Sequence, residues 1–372
     1  MQAVEALRHY AVARSLFVPT ALMRAIRRLG FLQADPIRAP ARAQDLILRP
    51  RVRGYRAGDL ERRYPRLAVD EEYYVNYGFL PSEHLSLIHP RTARHAWDRA
   101  TVRRAAQVLE FVRAAGRAHP REIQAAFPWG RTRNDWGGQS HASTRLLDAM
   151  HYRGLLRVKR REAGLRVYEP VLREADGRSP QQKAESLVDL ALNLYAPLPA
   201  GSLRLLCTHL RARIPHLAAH LKGPASGDPG AYPGARIDGI DWIWARGDDP
   251  FGARTRRDVQ RRDAELTLLA PFDPLVWDRT RFELFWRWPY RFEAYTPAAR
   301  RLYGYYALPM LWHGDVPGWV NLRLENGRLR AQCGYVAGRA PRDPSFARAL
   351  EAELARMSAF LRVQSDAGPT AP

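Results

Sequence analysis

Apolar residues recur at helical spacing along the start of the chain. Val4, Leu7, Ala11 and Leu16 fall on one face of a helix over 3–16. Leu22, Ile26 and Leu29 share a face of a second helix, opened by Pro19-Thr20 with Thr20 as N-cap and closed by Gly30. Phe31-Leu32-Gln33-Ala34-Asp35 then reads as a short strand-like run halted by Pro36. Residues 41–66 are polar and arginine-rich, with a helix around 58–64. Over 101–170 the pattern is clearer. A helix over 101–115 stops at Gly116, and a short one starts at His119-Pro120-Arg121-Glu122-Ile123. After the loop Asn134-Asp135-Trp136-Gly137-Gly138, a third helix runs from about Ser140 to Tyr152, burying Leu146, Leu147 and Met150 and ending at Gly154. Strands Leu155–Lys159 and Leu165–Glu169 follow around the turn Glu162-Ala163-Gly164.

Three helices followed by a two-stranded ribbon is the winged-helix pattern. Residues 181–262 repeat it more weakly: helices near 182–196 and 201–212, a Gly/Pro-rich insertion at 223–235, then strands Ala235–Ile237 and Trp242–Arg246 around Asp238-Gly239. If residues 1–85 form a third such unit, the repetition is architectural, with no residue-level repeat. From 264 the character turns to β, with strand candidates Leu266–Leu269, Tyr290–Tyr295, Gly304–Leu311, Gly318–Leu324 and Arg328–Tyr335. His313-Gly314-Asp315 and Asn326-Gly327 supply turns, and an amphipathic helix over 343–363 closes the chain with Phe346, Leu350, Leu354, Met357 and Phe360 on one face. The expected class is α+β: three tandem winged-helix domains, then a barrel-like β domain with a closing helix. The expected boundaries are 1–98, 99–175, 176–262 and 263–363, with a disordered tail at 364–372.

Charge sharpens this. The 372 residues hold 59 Lys+Arg against 38 Asp+Glu, a net of +21. Residues 1–170 carry 31 against 16, a net of +15, and residues 171–372 carry 28 against 22, a net of +6. A basic half beside a nearly balanced half suggests a localised surface for a polyanion; a generally basic bacterial protein would show the same total. The predicted ribbon carries Arg157, Lys159, Arg160, Arg161 and Arg166, as a wing against phosphates requires, although a solvated basic hairpin would look alike. Arg38, Arg42 and Arg145 are further DNA-binding candidates. No stretch approaches the roughly 20 apolar residues of a membrane span, and Met1-Gln2-Ala3-Val4-Glu5 shows no secretion signal. Two cysteines cannot make a disulfide framework or a four-ligand zinc site. A cytoplasmic, nucleoid-associated monomer without metal or cofactor is expected.

No Walker loop, dinucleotide fingerprint, nucleophile elbow or HExxH appears, and the 11 histidines form no metal spacing. The pair with chemistry is Gln33 and Asp35. In a strand these positions share a face, so a carboxamide could orient a water whose proton the carboxylate accepts. The plainer reading makes Asp35 a turn residue before Pro36 and Gln33 a hydrogen-bonded strand end. Pro271-Phe272-Asp273-Pro274-Leu275-Val276-Trp277-Asp278-Arg279 and Tyr303-Gly304-Tyr305-Tyr306-Ala307-Leu308-Pro309 stand out by composition, and packing against an adjoining domain accounts for both.

Taken together, Leu29-Gly30-Phe31-Leu32-Gln33-Ala34-Asp35-Pro36-Ile37, Trp136-Gly137, the Arg160-Arg161-Glu162 wing, both C-terminal segments and His313-Gly314-Asp315 resemble the bacterial winged-helix DNA glycosylases of the AlkZ/YcaQ family. The likeness covers about residues 3–363. It implies a catalytic Gln33/Asp35 pair of the Gln-x-Asp branch and double-stranded DNA with N7-alkylated or crosslinked purines as substrate. It also implies lesion-proximal positions at Trp136 and Asn76. Members often carry aromatic-x-His before a Leu-Pro; here Tyr74-Val75-Asn76 precedes Leu80-Pro81, so asparagine replaces the histidine. Only three lysines occur, Lys159, Lys183 and Lys222, none near Gln33, which favours a monofunctional glycosylase using water over an amine nucleophile. The competing class is a non-enzymatic winged-helix DNA-binding protein, reading bases with the 140–153 helix or binding damage without cleaving.

Overall fold

Helix Ala3–Ser15 forms as the spacing predicts, and Leu7, Tyr10 and Ala11 are buried with Leu16 in the largest aromatic core of the protein. The next helix, Leu22–Leu29, starts later than expected. Its N-cap is Ala21, without a side-chain bond. Thr20 instead lies in extended backbone, taking Arg53 N–H at 3.1 Å and donating to Arg51 O at 2.9 Å; a β-branched residue after proline favours that conformation. Gly30 closes the helix at φ +75°, where a Cβ would lie 2.4 Å from Leu190 Cδ1, so glycine is required on two counts. The computed structural model describes residues 3–93, 95–133, 138–171, 176–225, 232–252 and 265–365. By its contacts the chain forms two units: Met1–Asp59 with Val188–Leu206 and Gly223–Pro372, and Leu60–Leu187 with Cys207–Lys222.

In the first unit the strand is only Leu32–Gln33, shorter than the run 31–35 suggests, because Asp35 and Pro36 enter a turn. Helix Ala43–Leu48 was not foreshadowed: all six residues are buried, so no polar face marks its period. Leu198–Pro199, Gly234–Ile237 and Ile240–Ile243 make a small antiparallel sheet around the expected Asp238-Gly239 turn. Ile240–Ile243 ends earlier than the predicted 242–246 strand.

Thr267–Leu268, Leu308–Trp312, Asp315–Glu325, Arg328–Tyr335 and Gln364–Ser365 form a five-stranded sheet in that order, antiparallel except for the last pair. Both expected hairpins form, with positive φ at His313, Gly314, Asn326 and Gly327. Closure into a barrel does not follow: among the described residues no ladder joins the first strand to the last. Helix Pro344–Leu361 covers the sheet instead, setting Phe346 against Trp312 and Tyr335, so the apolar face is buried without curling the sheet shut. Residues 364–365, placed by sequence in a loose tail, are its last strand; 366–372 lie outside the described residues. The expected strand over 290–295 is absent, because Pro289 offers no N–H and the aromatics Trp288, Tyr290 and Phe292 pack as an irregular cluster.

In the second unit, helices Arg99–Ala115, Pro120–Ala126 and Ala142–Arg153 precede the ribbon Leu156–Glu162 and Leu165–Pro170, the expected order for this segment. Asp98 accepts Thr101 N–H at 2.7 Å, and His119 with Glu122 forms a capping box. A short ladder Arg131–Arg133 with Gln139–His141 and the hairpin Val69–Tyr73 with Tyr77–Pro81 were missed. Asp70-Glu71-Glu72 disguises the hairpin, since acids are depleted in strands. Helices Pro180–Tyr195 and Ala200–Arg213 match their predicted spans, and the division between the units falls within both.

Candidate functional site

Gln33 ends its strand with only 6% of its surface exposed, and its Oε1 is buried without a hydrogen-bond partner among the described residues. Asp35 is half-buried just beyond. Its backbone N–H donates to Gln44 Oε1 at 3.3 Å, and its Oδ1 accepts Ile37 N–H at 2.9 Å. Asp35 therefore is a turn residue, as the plainer reading held, but one oxygen suffices for the turn. A strand running through Asp35 is not what places the pair, since the strand stops at Gln33; the buried Gln44 and the Pro36-Ile37 turn set the carboxylate. Burial raises the Asp35 carboxyl above its ordinary range, opposed only by the Ile37 bond.

The ground beneath this loop is rigid. Arg51, fully buried, donates to Asp273 at 2.7 and 3.0 Å, to Ile47 O at 2.7 Å and to Ser15 O at 2.9 Å. Asp273 also caps helix Pro274–Trp277 through Leu275 N–H at 3.0 Å. Arg279 donates to Pro271 O at 2.8 Å, and buried Arg281 holds Tyr195 O and Pro274 O. The Pro271–Arg279 segment is thus an ion-paired brace for the N-terminal helices, which composition alone could not reveal.

In the second unit the basic ribbon is heavily paired. Arg157 lies 2.7 Å from Asp70 and 3.6 Å from Glu169, and Lys159 lies 3.4 Å from Glu169. Arg160 bonds Glu162 at 2.7 Å. Arg161 bonds Glu71 at 2.8 and 2.6 Å, and Arg166 bonds Asp148 at 2.8 Å. Arg66, Ser82, Arg157 and Lys159 line a cavity of about 380 Å³. Beneath them, Glu72 meets His89 at 2.5 Å and Arg91 at 3.0 Å. Burial alone would raise the Glu71 and Glu72 carboxyls, but the cations around each hold both below the usual range. For Asp70, burial outweighs Arg157 and Ser82, and its carboxyl is raised.

The remaining sequence candidates separate. Arg38 is exposed and forms no ion pair among the described residues, Arg42 is half-buried, and exposed Arg145 donates to Arg133 O. Asn76 sits in the turn between Val69–Tyr73 and Tyr77–Pro81, where its Oδ1 accepts from Arg213 at 3.4 Å. Trp136 lies outside the described residues. Among the described residues there is no group of side chains able to hold a metal and no helix long and apolar enough to cross a membrane.

The sequence model for the DNA glycosylase AlkZ-like family matches residues 26–360. The chain belongs to the AlkZ-like DNA glycosylase family. It is a DNA glycosylase by that membership, and a solved structure agrees on the fold. That structure is the Streptomyces sahachiroi DNA glycosylase AlkZ, similar over 100% of both chains with a TM-score of 0.62 at 15% identity.

For an AlkZ-like glycosylase, the two polar regions offer different chemistry. Gln33 and Asp35 combine an acceptor without a partner and a carboxylate of raised proton affinity. The five ribbon cations mostly neutralise carboxylates of their own unit. Sequence reasoning missed Gln44, which anchors the Asp35 backbone, and the Glu72–His89–Arg91 cluster. Neither has a local signature, since each is made by chain segments folding back on one another.

Proposed function

We propose that this DNA glycosylase hydrolyses the N-glycosidic bond of N7-alkylated purines in duplex DNA and unhooks crosslinks formed through such bases. Alkylation at N7 places positive charge on the purine, so the base leaves neutral and needs no strong general acid. As the C1′–N9 bond breaks, oxocarbenium character develops at C1′, and the Asp35 carboxylate stabilises it. Gln33 Oε1 holds the attacking water. The water oxygen bonds C1′ while Asp35 takes its proton, leaving an abasic site. The observation that carries this reading is the buried, partnerless Gln33 Oε1 two residues from a carboxylate whose burial raises its proton affinity. Such a carboxylate is a stronger base when ionised than a solvated aspartate. The Gln-x-Asp resemblance supports the same pair.

Winged-helix units would carry the DNA-binding surface in this reading, with Arg38 as the phosphate contact nearest Asp35 in the chain. A base tethered to the opposite strand cannot rotate freely into a deep pocket, so crosslink unhooking requires an open site. The test is duplex DNA containing N7-methylguanine, incubated with protein and then heated in alkali to reveal abasic sites. Cleavage by wild type and not by Asp35→Asn is expected. Full activity of both Asp35→Asn and Gln33→Ala would reject the site. A nitrogen-mustard-crosslinked duplex tests the wider substrate claim.

A further inference from the structure

Tyr306 is a second buried polar group without a partner in the first unit. It is 2% exposed, and among the described residues its hydroxyl makes no hydrogen bond. A buried hydroxyl left in that condition is costly and calls for a reason. Poor packing is not the reason, because the segment carrying it is fixed from several sides. Glu293, itself buried, accepts the backbone N–H groups of Leu302, Tyr303 and Gly304 at 3.0, 2.7 and 3.3 Å. Asn321 donates to Tyr303 O at 2.7 Å, and Tyr290 donates to Ala307 O at 2.8 Å. The Tyr306 ring meets Phe292 edge-on at 5.4 Å. Gly304 permits the bend at φ +108°, where any Cβ would strike the Asn321 amide. The hydroxyl is thus held in place with no protein group to satisfy it.

Burial raises the phenol well above its usual range, and the next cause is the charge of Asp35. Asp35 is therefore within electrostatic reach, and Tyr306 stays a protonated donor throughout the working range.

We propose that the Tyr306 hydroxyl is a third catalytic group of the Gln33/Asp35 site, donating a hydrogen bond to the water that attacks C1′. A water has two hydrogens and two lone pairs. Gln33 Oε1 accepts one hydrogen, Asp35 accepts the other, and Tyr306 fills one lone pair. The remaining lone pair points at C1′. On attack the water oxygen bonds C1′, the C1′–N9 bond electrons leave with the purine, and the proton passes to Asp35. The phenol keeps its own proton. Three fixed directions out of four turn a mobile water into an oriented nucleophile.

This inference rests on the Gln33/Asp35 reading, and the experiment separates the two. Single-turnover excision of N7-methylguanine from duplex DNA at saturating full-length protein is measured for wild type, Tyr306→Phe, Tyr303→Phe, Gln33→Ala and Asp35→Asn. Duplex affinity and Tm are measured alongside. Tyr306→Phe is expected to slow excision by about tenfold or more, with Kd and Tm unchanged because the lost hydroxyl bonded nothing in the protein. Combined with Gln33→Ala, its effect should be less than multiplicative, since both act on one water. Tyr303→Phe, on the same segment, should excise at the wild-type rate. A wild-type rate for Tyr306→Phe beside an inactive Asp35→Asn would overturn this inference alone. Equal slowing by Tyr306→Phe and Tyr303→Phe would assign the effect to packing and overturn it as well. Wild-type rates for both Gln33→Ala and Asp35→Asn would remove the site itself.

Discussion

Strand Val69–Tyr73 in one unit and the turn after Gln33 in the other both take carboxylates out of water, yet they surround them differently. Asp70, Glu71 and Glu72 are each met by cations: Arg157 at Asp70, Arg161 and Arg166 at Glu71, His89 and Arg91 at Glu72. Asp35 receives one backbone N–H and no cation among the described residues. A buried carboxylate ringed by guanidiniums is held ionised and has no proton affinity left to use. One that is desolvated and left almost alone keeps a raised affinity, which is what a base requires. The difference also bears on the ribbon. Its arginines mostly serve the unit's own acids, so its net positive field is weaker than its sequence suggests.

The sharpest way to break this comparison is Asp35→Asn. Excision should fall by about 10²-fold or more, read as the single-turnover rate, while the protein stays folded. Glu72→Leu should do the reverse. It leaves Arg91 and His89 buried without a counter-charge, so about 3–5 kcal/mol of stability should vanish, measured by urea denaturation. If Glu72→Leu unfolds no more easily than wild type, the cluster is not the structural centre described.

Acidity distinguishes the sites more finely. The Glu72 carboxyl is depressed in the folded protein, so its contribution is present above the ordinary glutamate range and fades as pH falls through the lower folded value. Asp35 has the opposite sign. Its carboxyl is raised, so the ionised form costs stability once pH exceeds the folded value, and Asp35→Asn should raise Tm at neutral pH and lose that advantage in acid. Excision by wild type should decline as pH falls through the raised Asp35 value. A Tm difference between wild type and Asp35→Asn that is independent of pH would contradict the desolvated environment.

The smallest effects concern DNA affinity. Arg38→Ala should weaken duplex binding irrespective of sequence and lower the slope of log K against log salt by about one. Arg161→Ala should leave that slope nearly unchanged and lower Tm, because its guanidinium is already spent on Glu71. Equal slopes for the two variants would mean that the ribbon ion pairs open on DNA.

Much of the local structure was legible in advance. Amphipathic spacing located Ala3–Ser15, Arg99–Ala115, Ala142–Arg153 and Pro344–Leu361, and turn chemistry located Ala163-Gly164, Asp238-Gly239 and Asn326-Gly327. What failed had a physical cause. Ala43–Leu48 is buried all round and so shows no period, while Val69–Tyr73 carries three acids that look like a solvated loop. The open sheet was mistaken for a barrel because strand count says nothing about what covers the apolar face.

Local interactions within a few residues decided which segments coil, turn or extend, and the Gln33-Ala34-Asp35 word marked the site. Burial and pairing were decided only when distant segments met. Arg51 found Asp273 across 222 positions, and the ribbon arginines found Asp70 and Glu71. Tyr306 was brought within the field of Asp35. Whether a carboxylate is a strut or a base depends on its dielectric and its neighbours, and those exist only after the chain has folded.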